Sequence, residues 1–176
     1  MKKSTFFSIL ISLSFVLCSC GEKNGPFKTF YDNGQLKTEG VYKSGEKNGP
    51  FKTFYDNGQL QTEGVYKNGF PYGLLESYYE NGQLEVTLFY VENGQLEMEL
   101  LYDEYGQLEE ESLFNKNGEI EVKTYYGENG QLEMEQFYDE YGQLKMEQLY
   151  DRNGQLEVET YYGEDGNQVI TRPYYE

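Results

Sequence analysis

The chain predicts an all-β fold: an elongated, single-layer antiparallel β-meander of repeated hairpins, twisted or curled, preceded by a signal peptide. Three observations predict it. A glycine returns every twelve residues, at Gly82, Gly94, Gly106, Gly118, Gly130, Gly142, Gly154 and Gly166, often within Asn-Gly-Gln-Leu. Ahead of these, residues 21–44 recur as 45–68 with Lys37 giving way to Gln61 and Ser44 to Asn68. Between the glycines, apolar residues alternate at period two, the pattern of strands rather than helices. A fixed period of this kind means stacked identical units.

Residues 1–19 read as the signal. Lys2 and Lys3 precede an apolar run from Phe6 to Leu17 and then small residues, the layout of an export signal; the run is short for a bilayer span. Leu17-Cys18-Ser19-Cys20 resembles a bacterial lipobox, with cleavage before Cys20 and acylation of Cys20. Cys18 fits less well, because Leu17 would then precede the cut. A plain secretory signal with incidental cysteines is the alternative. Residues 20–24 are read as the lipidated cysteine and a short tether, Gly21 to Asn24, reaching about 14 Å at ~3.5 Å per residue. Two or three acyl chains anchor firmly, at about 0.8 kcal/mol per buried methylene. The expectation is an exported, lipid-anchored protein of the bacterial cell envelope, at the outer membrane where the host has one, since Gly21 is not the aspartate that retains many lipoproteins at the inner membrane.

Residues 25–176 form the repeat domain, with 24-residue repeats to about 81 and 12-residue strand-turn units from 82. In the unit Gly94-Gln95-Leu96-Glu97-Met98-Glu99-Leu100-Leu101-Tyr102, strict alternation puts Leu96, Met98, Leu100 and Tyr102 on one side. Glu92-Asn93-Gly94 suits a three-residue loop, the glycine taking positive φ at little cost. That loop pairs Val91 with Gln95 and Tyr90 with Leu96. It is expected to keep all even positions from 84 to 162 on one face, apolar throughout, with aliphatic-aromatic pairs such as Leu96 with Tyr90 worth roughly 0.2–1 kcal/mol each. The middle of that face passes from Val86, Leu88, Met98 and Leu100 to Gln136, Gln148 and Thr160, so its burial should weaken toward the C-terminus. On the other face Glu99 is expected across from Glu111 and Glu135 from Glu147, with Lys123 breaking the run. Like charges directly opposite destabilise, so the ladder would be solvated, or matched to a cation such as calcium or to a basic partner. Twelve turns imply about thirteen strands. Pro173 suits an edge strand.

Composition narrows function. The chain has no histidine and no tryptophan, and if Cys20 is acylated no thiol is free; imidazole catalysis, Ser-His or Cys-His pairs and His-based metal sites cannot be built. We expect no enzyme and no cofactor or metal. The remaining catalytic option, paired carboxylates such as Glu97 and Glu109, recurs along the chain without a singular cleft. The formal net charge is −17, and the acids concentrate beyond residue 70, which argues against nucleic acid as a partner. Candidate partner-surface residues are Glu99, Glu111, Tyr125, Glu135, Glu147 and Tyr161. The expected partners are the lipid bilayer, through acylated Cys20, and a protein, basic if the acidic face binds it; edge strands offer a route to oligomers.

The stretch from Tyr31-Asp-Asn-Gly34-Gln-Leu36 through Gly40-Val-Tyr42, Asn48-Gly49-Pro-Phe51 and Phe54-Tyr55 resembles the bacterial MORN-repeat variant. Asn68-Gly69, Gly73, Tyr78 and Tyr79 continue it, and the resemblance thins after Gly82. Later units also look like the YD repeats of large secreted shell proteins, as in Tyr102-Asp103-x-x-Gly106-Gln-Leu108, with glutamine where arginine is usual. The MORN resemblance implies a β-hairpin scaffold for protein or membrane contacts without catalysis, and a link to YwqK-type antitoxins. Two readings follow: a membrane-anchored interaction scaffold, or an immunity protein that covers a toxin.

Overall fold

A computed structural model describes residues 23–174, so the signal segment and Cys20 lie outside the described residues. Turn chemistry and period-two alternation produce one open antiparallel sheet of thirteen strands in sequence order. They are β1 (Gly25–Phe30), β2 (Leu36–Lys43), β3 (Glu46–Phe54), β4 (Leu60–Lys67), β5 (Phe70–Tyr78), β6 (Leu84–Tyr90), β7 (Leu96–Tyr102), β8 (Leu108–Phe114), β9 (Ile120–Tyr126), β10 (Leu132–Tyr138), β11 (Leu144–Tyr150), β12 (Leu156–Tyr162) and β13 (Gln168–Pro173).

The three-residue loops close as the sequence predicts. Val91 N–H donates to Gln95 O at 3.0 Å and Gly94 N–H to Val91 O at 2.9 Å, with Gly94 at φ 80° and Tyr90 opposite Leu96. The β2–β3 and β4–β5 turns are tighter. There Ser44-Gly45 and Asn68-Gly69 hold φ of 52°/83° and 52°/84°, the paired positive values of a two-residue type I′ turn.

One step beyond each three-residue loop the register departs from expectation. Phe89 faces Met98, leaving Glu97 unpaired; Leu101 faces Glu110, leaving Glu109 out; Tyr125 faces Met134, leaving Glu133 out. The same bulge expels Lys37, Gln61, Glu85, Glu121, Lys145, Glu157 and Val169. One extra residue pairs odd positions with even ones, and a one-residue slip sends a strand's side chains to the opposite face. The expectation of a single apolar face is therefore corrected: each repeat position alternates between the two faces from strand to strand.

Both faces consequently carry the same mixture. On the face called A here, an apolar row runs from Leu74 through Phe89, Met98, Leu113, Val122 and Phe137 to Ile170. On face B an equivalent row includes Val86, Leu101, Tyr125, Met134 and Leu149. The aliphatic-aromatic pairs do form, Tyr90 with Leu96 on face B and Tyr102 with Leu108 on face A, alternating onward. Among the described residues no hydrophobic side chain is buried; the buried ones are Ser112, Thr124, Glu159 and Thr160. Burial thus does not fade toward the C-terminus. In a single layer, only mid-strand positions flanked by large side chains on both neighbours lose water, and those positions are polar.

Cohesion comes from links between adjacent units, as in other repeat architectures. Along one turn edge, Tyr31, Tyr55 and Tyr79 donate their hydroxyls to the carbonyls of Phe54, Tyr78 and Tyr102, each at 2.7 Å. In β2, Gly40 lies under the rings of Phe27 and Phe51, whose nearest atoms would stand 2.9 Å from an added Cβ. Pro50 falls inside a central strand where the β2–β3 register shifts, which accommodates its missing N–H.

Gly40→Ala should therefore cost about 1–3 kcal/mol through overpacking, read by urea unfolding. Phe27→Leu in the same background should restore part of that loss by making room for the methyl. Gly142→Ala has open space but φ 76°, so its cost of about 1–2 kcal/mol should not respond to any neighbouring truncation.

Candidate functional site

The six candidate surface residues divide between the faces. Glu111, Glu135 and Tyr161 lie on face A; Glu99, Tyr125 and Glu147 lie on face B. The predicted like-charge pairs do not form. Glu99 faces Ser112, Glu135 faces Gln148 and Glu147 faces Gln136, because the bulge offsets each glutamate by one position. Glu97 and Glu109 are bulge residues at the two opposite ends of the β7 hairpins, so they form no acid-base pair. Cys20 lies outside the described residues.

The central row of face A crosses all thirteen strands: Lys28, Glu39, Lys52, Glu63, Glu76, Thr87, Leu100, Glu111, Thr124, Glu135, Gln148, Glu159 and Arg172. In its first third the charges cancel. Lys28 Nζ lies 2.9 Å from Glu39 and Lys52 Nζ 2.7 Å from Glu63. Hydrogen bonding to Lys52 is the main cause holding the Glu63 carboxyl below its ordinary range. From β8 onward each carboxylate is instead gripped by neutral donors. Tyr126 Oη donates to Glu111 at 3.4 Å and Tyr150 Oη to Glu135 at 2.5 Å. Glu159 accepts from Gln148 Nε2 and Tyr174 Oη, each at 2.7 Å, and from Tyr161 Oη at 3.0 Å. These bonds, Tyr174 first, keep the Glu159 carboxyl below the usual range. Burial and the Glu135 carboxylate push the Tyr150 phenol up to about 12.

Face B handles charge differently. Lys123 Nζ stands 2.6 Å from Glu110, and Gln136 Nε2 donates to Glu147 at 2.9 Å. Tyr125 donates to Gln136 at 3.3 Å. The glutamines are what sequence reasoning missed. Their signal was available, since Gln136 and Gln148 follow Glu135 and Glu147 twelve residues apart, and it becomes readable once the bulge offset is known.

At the turn edge of β7–β12 an open groove of about 1090 Å³ is lined by carboxylates, including Glu109, Glu133 and Glu157, and by Tyr126 and Tyr150. Among the described residues no three His, Cys, Asp or Glu side chains are grouped to hold a metal ion. No described helix is long and apolar enough to cross a membrane.

In the N-terminal hairpins, Lys47 Nζ sits 3.8 Å from the Phe51 ring centroid and 4.6 Å from that of Tyr66, and partial burial lowers its pKa. Gly40, the paired aromatics and these lysines repeat at 24 residues. Four segments, residues 23–44, 47–68, 71–92 and 143–163, match the MORN repeat variant. The chain is a MORN repeat variant protein. The fourth MORN segment begins 72 residues after the third, a whole number of 24-residue periods. The units between them hold the phase while their residues drift. Recovery of the motif at 143–163 goes beyond the resemblance read over about 21–84. No curated protein matches the chain. Among solved structures, one similar chain belongs to a "GtfA/B complex bound to UDP and GlcNAc", 15% identical with a TM-score of 0.44. The likeness covers 58% of this chain and 22% of that one.

The Glu159 cluster generates a pH prediction with a fixed sign. A carboxyl whose folded pKa is depressed contributes stability above its unfolded value near ~4.3, lost as pH falls through the folded value. Tyr174→Phe removes the largest donor. Its urea midpoint should fall below that of the parent at pH 7 and converge with it toward pH 3. A constant offset across that range would refute the assignment.

Proposed function

We propose that this MORN-repeat chain is a membrane-anchored lipoprotein whose sheet serves as a non-catalytic protein-interaction scaffold. The observation that carries the reading is a thirteen-strand layer with two open faces and no buried hydrophobic side chain among its described residues. A single-layer repeat array offers an extended contact surface in place of an enclosed pocket. Large apolar side chains remain open to solvent, among them Phe70 at 63% and Leu74 at 53% exposure, and clustered exposed apolar area is a mark of interaction surfaces. The lipobox-like Leu17-Cys18-Ser19-Cys20 supports the anchor.

A second reading, a YwqK-type immunity protein that neutralises a basic toxin, draws on the excess of acids beyond residue 70. Affinity capture of the native protein from membranes, with intact-mass analysis, tests both. The expected result is a triacyl mass on Cys20, lost in Cys20→Ser together with membrane retention, and one stoichiometric protein partner. A soluble, unacylated mature chain, or an acylated one that retains no protein, would sink the scaffold. A captured toxin whose activity the chain suppresses would select the immunity reading.

A further inference from the structure

The repeat supplies an internal control for one edge of the sheet. β1 and the last six residues of β3 share the sequence Gly-Pro-Phe-Lys-Thr-Phe, at residues 25–30 and 49–54. β3 lies between β2 and β4, whereas among the described residues nothing pairs with the outer side of β1. Lys52, Thr53 and Phe54 are accordingly half-buried, while Lys28, Thr29 and Phe30 are exposed, Phe30 at 59%. The difference is the cover that a neighbouring strand supplies. Because the same six residues pair on both sides one repeat later, the β1 edge is competent to accept a further strand.

Backbone parity fixes the groups on offer. Tyr31 N–H donates inward to Gln35 O at 2.8 Å, so alternation turns the N–H and C=O of Lys28 and Phe30 outward, together with Pro26, which has no N–H. One register uses the first two and avoids the proline. On face B a row of hydroxyls, Thr29, Thr38, Thr53, Thr62 and Ser77, runs in direct opposition from strand to strand. Continued outward in an antiparallel pair, that row sets Thr29 against Thr29 of a second copy. Lys28 then lies opposite Phe30 of the second copy on face A, and the two exchange backbone hydrogen bonds. Ammonium against ring repeats the contact that Lys47 makes with Phe51. Centring the pair on Lys28 would instead oppose two lysines. The far edge is less suited: Tyr174 N–H donates to Glu157 O, so Thr171 and Pro173 face out from β13 and the proline withholds a donor there. Acids concentrate beyond residue 70, and a joint at β1 keeps two acidic halves apart.

We propose that two copies of this chain join β1 to β1 about a two-fold axis through the Thr29 pair, forming one continuous sheet. Six residues a side fall short of the ~1,200 Å² of a stable interface. The dimer therefore rests on the membrane-anchored reading for its strength: two chains held on one membrane meet at a raised effective concentration. The two-fold axis stands normal to the sheet, so both tethers reach that membrane with the sheet lying along it.

Disulfide trapping of the full chain in lipid vesicles tests this. Facing Cα atoms of the Thr29 pair would stand ~4.5 Å apart, within disulfide reach, and with Cys20 acylated the thiol of Thr29→Cys is the only one in the mature chain. Oxidation should yield its covalent dimer about tenfold faster than that of Thr171→Cys at the outward side of β13. In the Thr29→Cys background, Phe30→Lys sets a lysine against Lys28 in both symmetric pairs and should slow trapping about tenfold, whereas Phe30→Glu sets a carboxylate there and should preserve it. Unchanged urea unfolding verifies that each variant folds. Equal trapping at both edges marks collision in the membrane, equal loss in both Phe30 variants marks unspecific apolar contact, and a disulfide between mixed Thr29→Cys and Thr171→Cys chains marks head-to-tail pairing; each overturns the proposal. An acylated chain that does not trap at Thr29 removes the dimer and leaves the anchor standing. If mass analysis finds the mature chain unacylated, the anchored reading falls, and trapping of Thr29→Cys in solution, with Cys18 and Cys20 replaced by serine, decides the edge dimer by itself.

Discussion

One unpaired residue beside each three-residue loop governs this molecule. A three-residue loop alone would keep the leading leucine and the closing aromatic of every unit on one side of the sheet and most strand glutamates on the other. Such a sheet would need a second layer to cover its apolar face. The bulge after each leucine, occupied by Lys37, Gln61, Glu85, Glu97 and their successors, exchanges the faces across every three-residue loop, as the two-residue turns do by their own odd-even pairing. Apolar area is shared between two sides, each half-covered by its own cross-strand neighbours, so a single layer can stand without a core.

The same offset settles the electrostatics. With direct pairing, glutamates twelve residues apart would face each other across every ladder. Displaced by one, the glutamates of the twelve-residue units meet neutral residues instead: Glu99 meets Ser112, Glu111 meets Thr124 and Glu135 meets Gln148. Repulsion becomes a run of hydrogen bonds, and tyrosine hydroxyls from the strand ends complete it. From β6 onward the chain can therefore accumulate acids without opposing carboxylates directly; Glu63 and Glu76, which do face each other, share the Tyr78 hydroxyl.

The two halves solve the same packing problem with different chemistry. In the MORN segments near the N-terminus, lysines lie over tyrosine and phenylalanine rings, ion pairs join adjacent strands, and tyrosine hydroxyls tie successive turns. Toward the C-terminus the turn position of those tyrosines becomes Asp103 or Asp151, whose carboxylates cap their own turns by accepting backbone N–H groups. Links between repeats give way to closures within repeats. In this half tyrosine hydroxyls and glutamine amides, in place of lysines, hold the central carboxylates of face A.

The twelve-residue glycines and the alternating apolar residues determined the strand number, their sequential order, the three-residue loops and the leucine-tyrosine pairs. Those features are local: a positive φ at Gly94 and a period of two are written in adjacent residues. Which face each side chain occupies was decided only by the tertiary structure. Glu97 satisfies strand alternation whether it pairs or bulges, so its own neighbourhood does not distinguish the two. The choice rests on burial and charge opposition summed across adjoining strands, where bulging separates glutamate from glutamate and divides the apolar surface between two sides. The candidate residues Glu111 and Glu135 were thus legible as acids, while the Gln148, Tyr150 and Tyr174 that hold the ladder's carboxylates came into view only with the offset register.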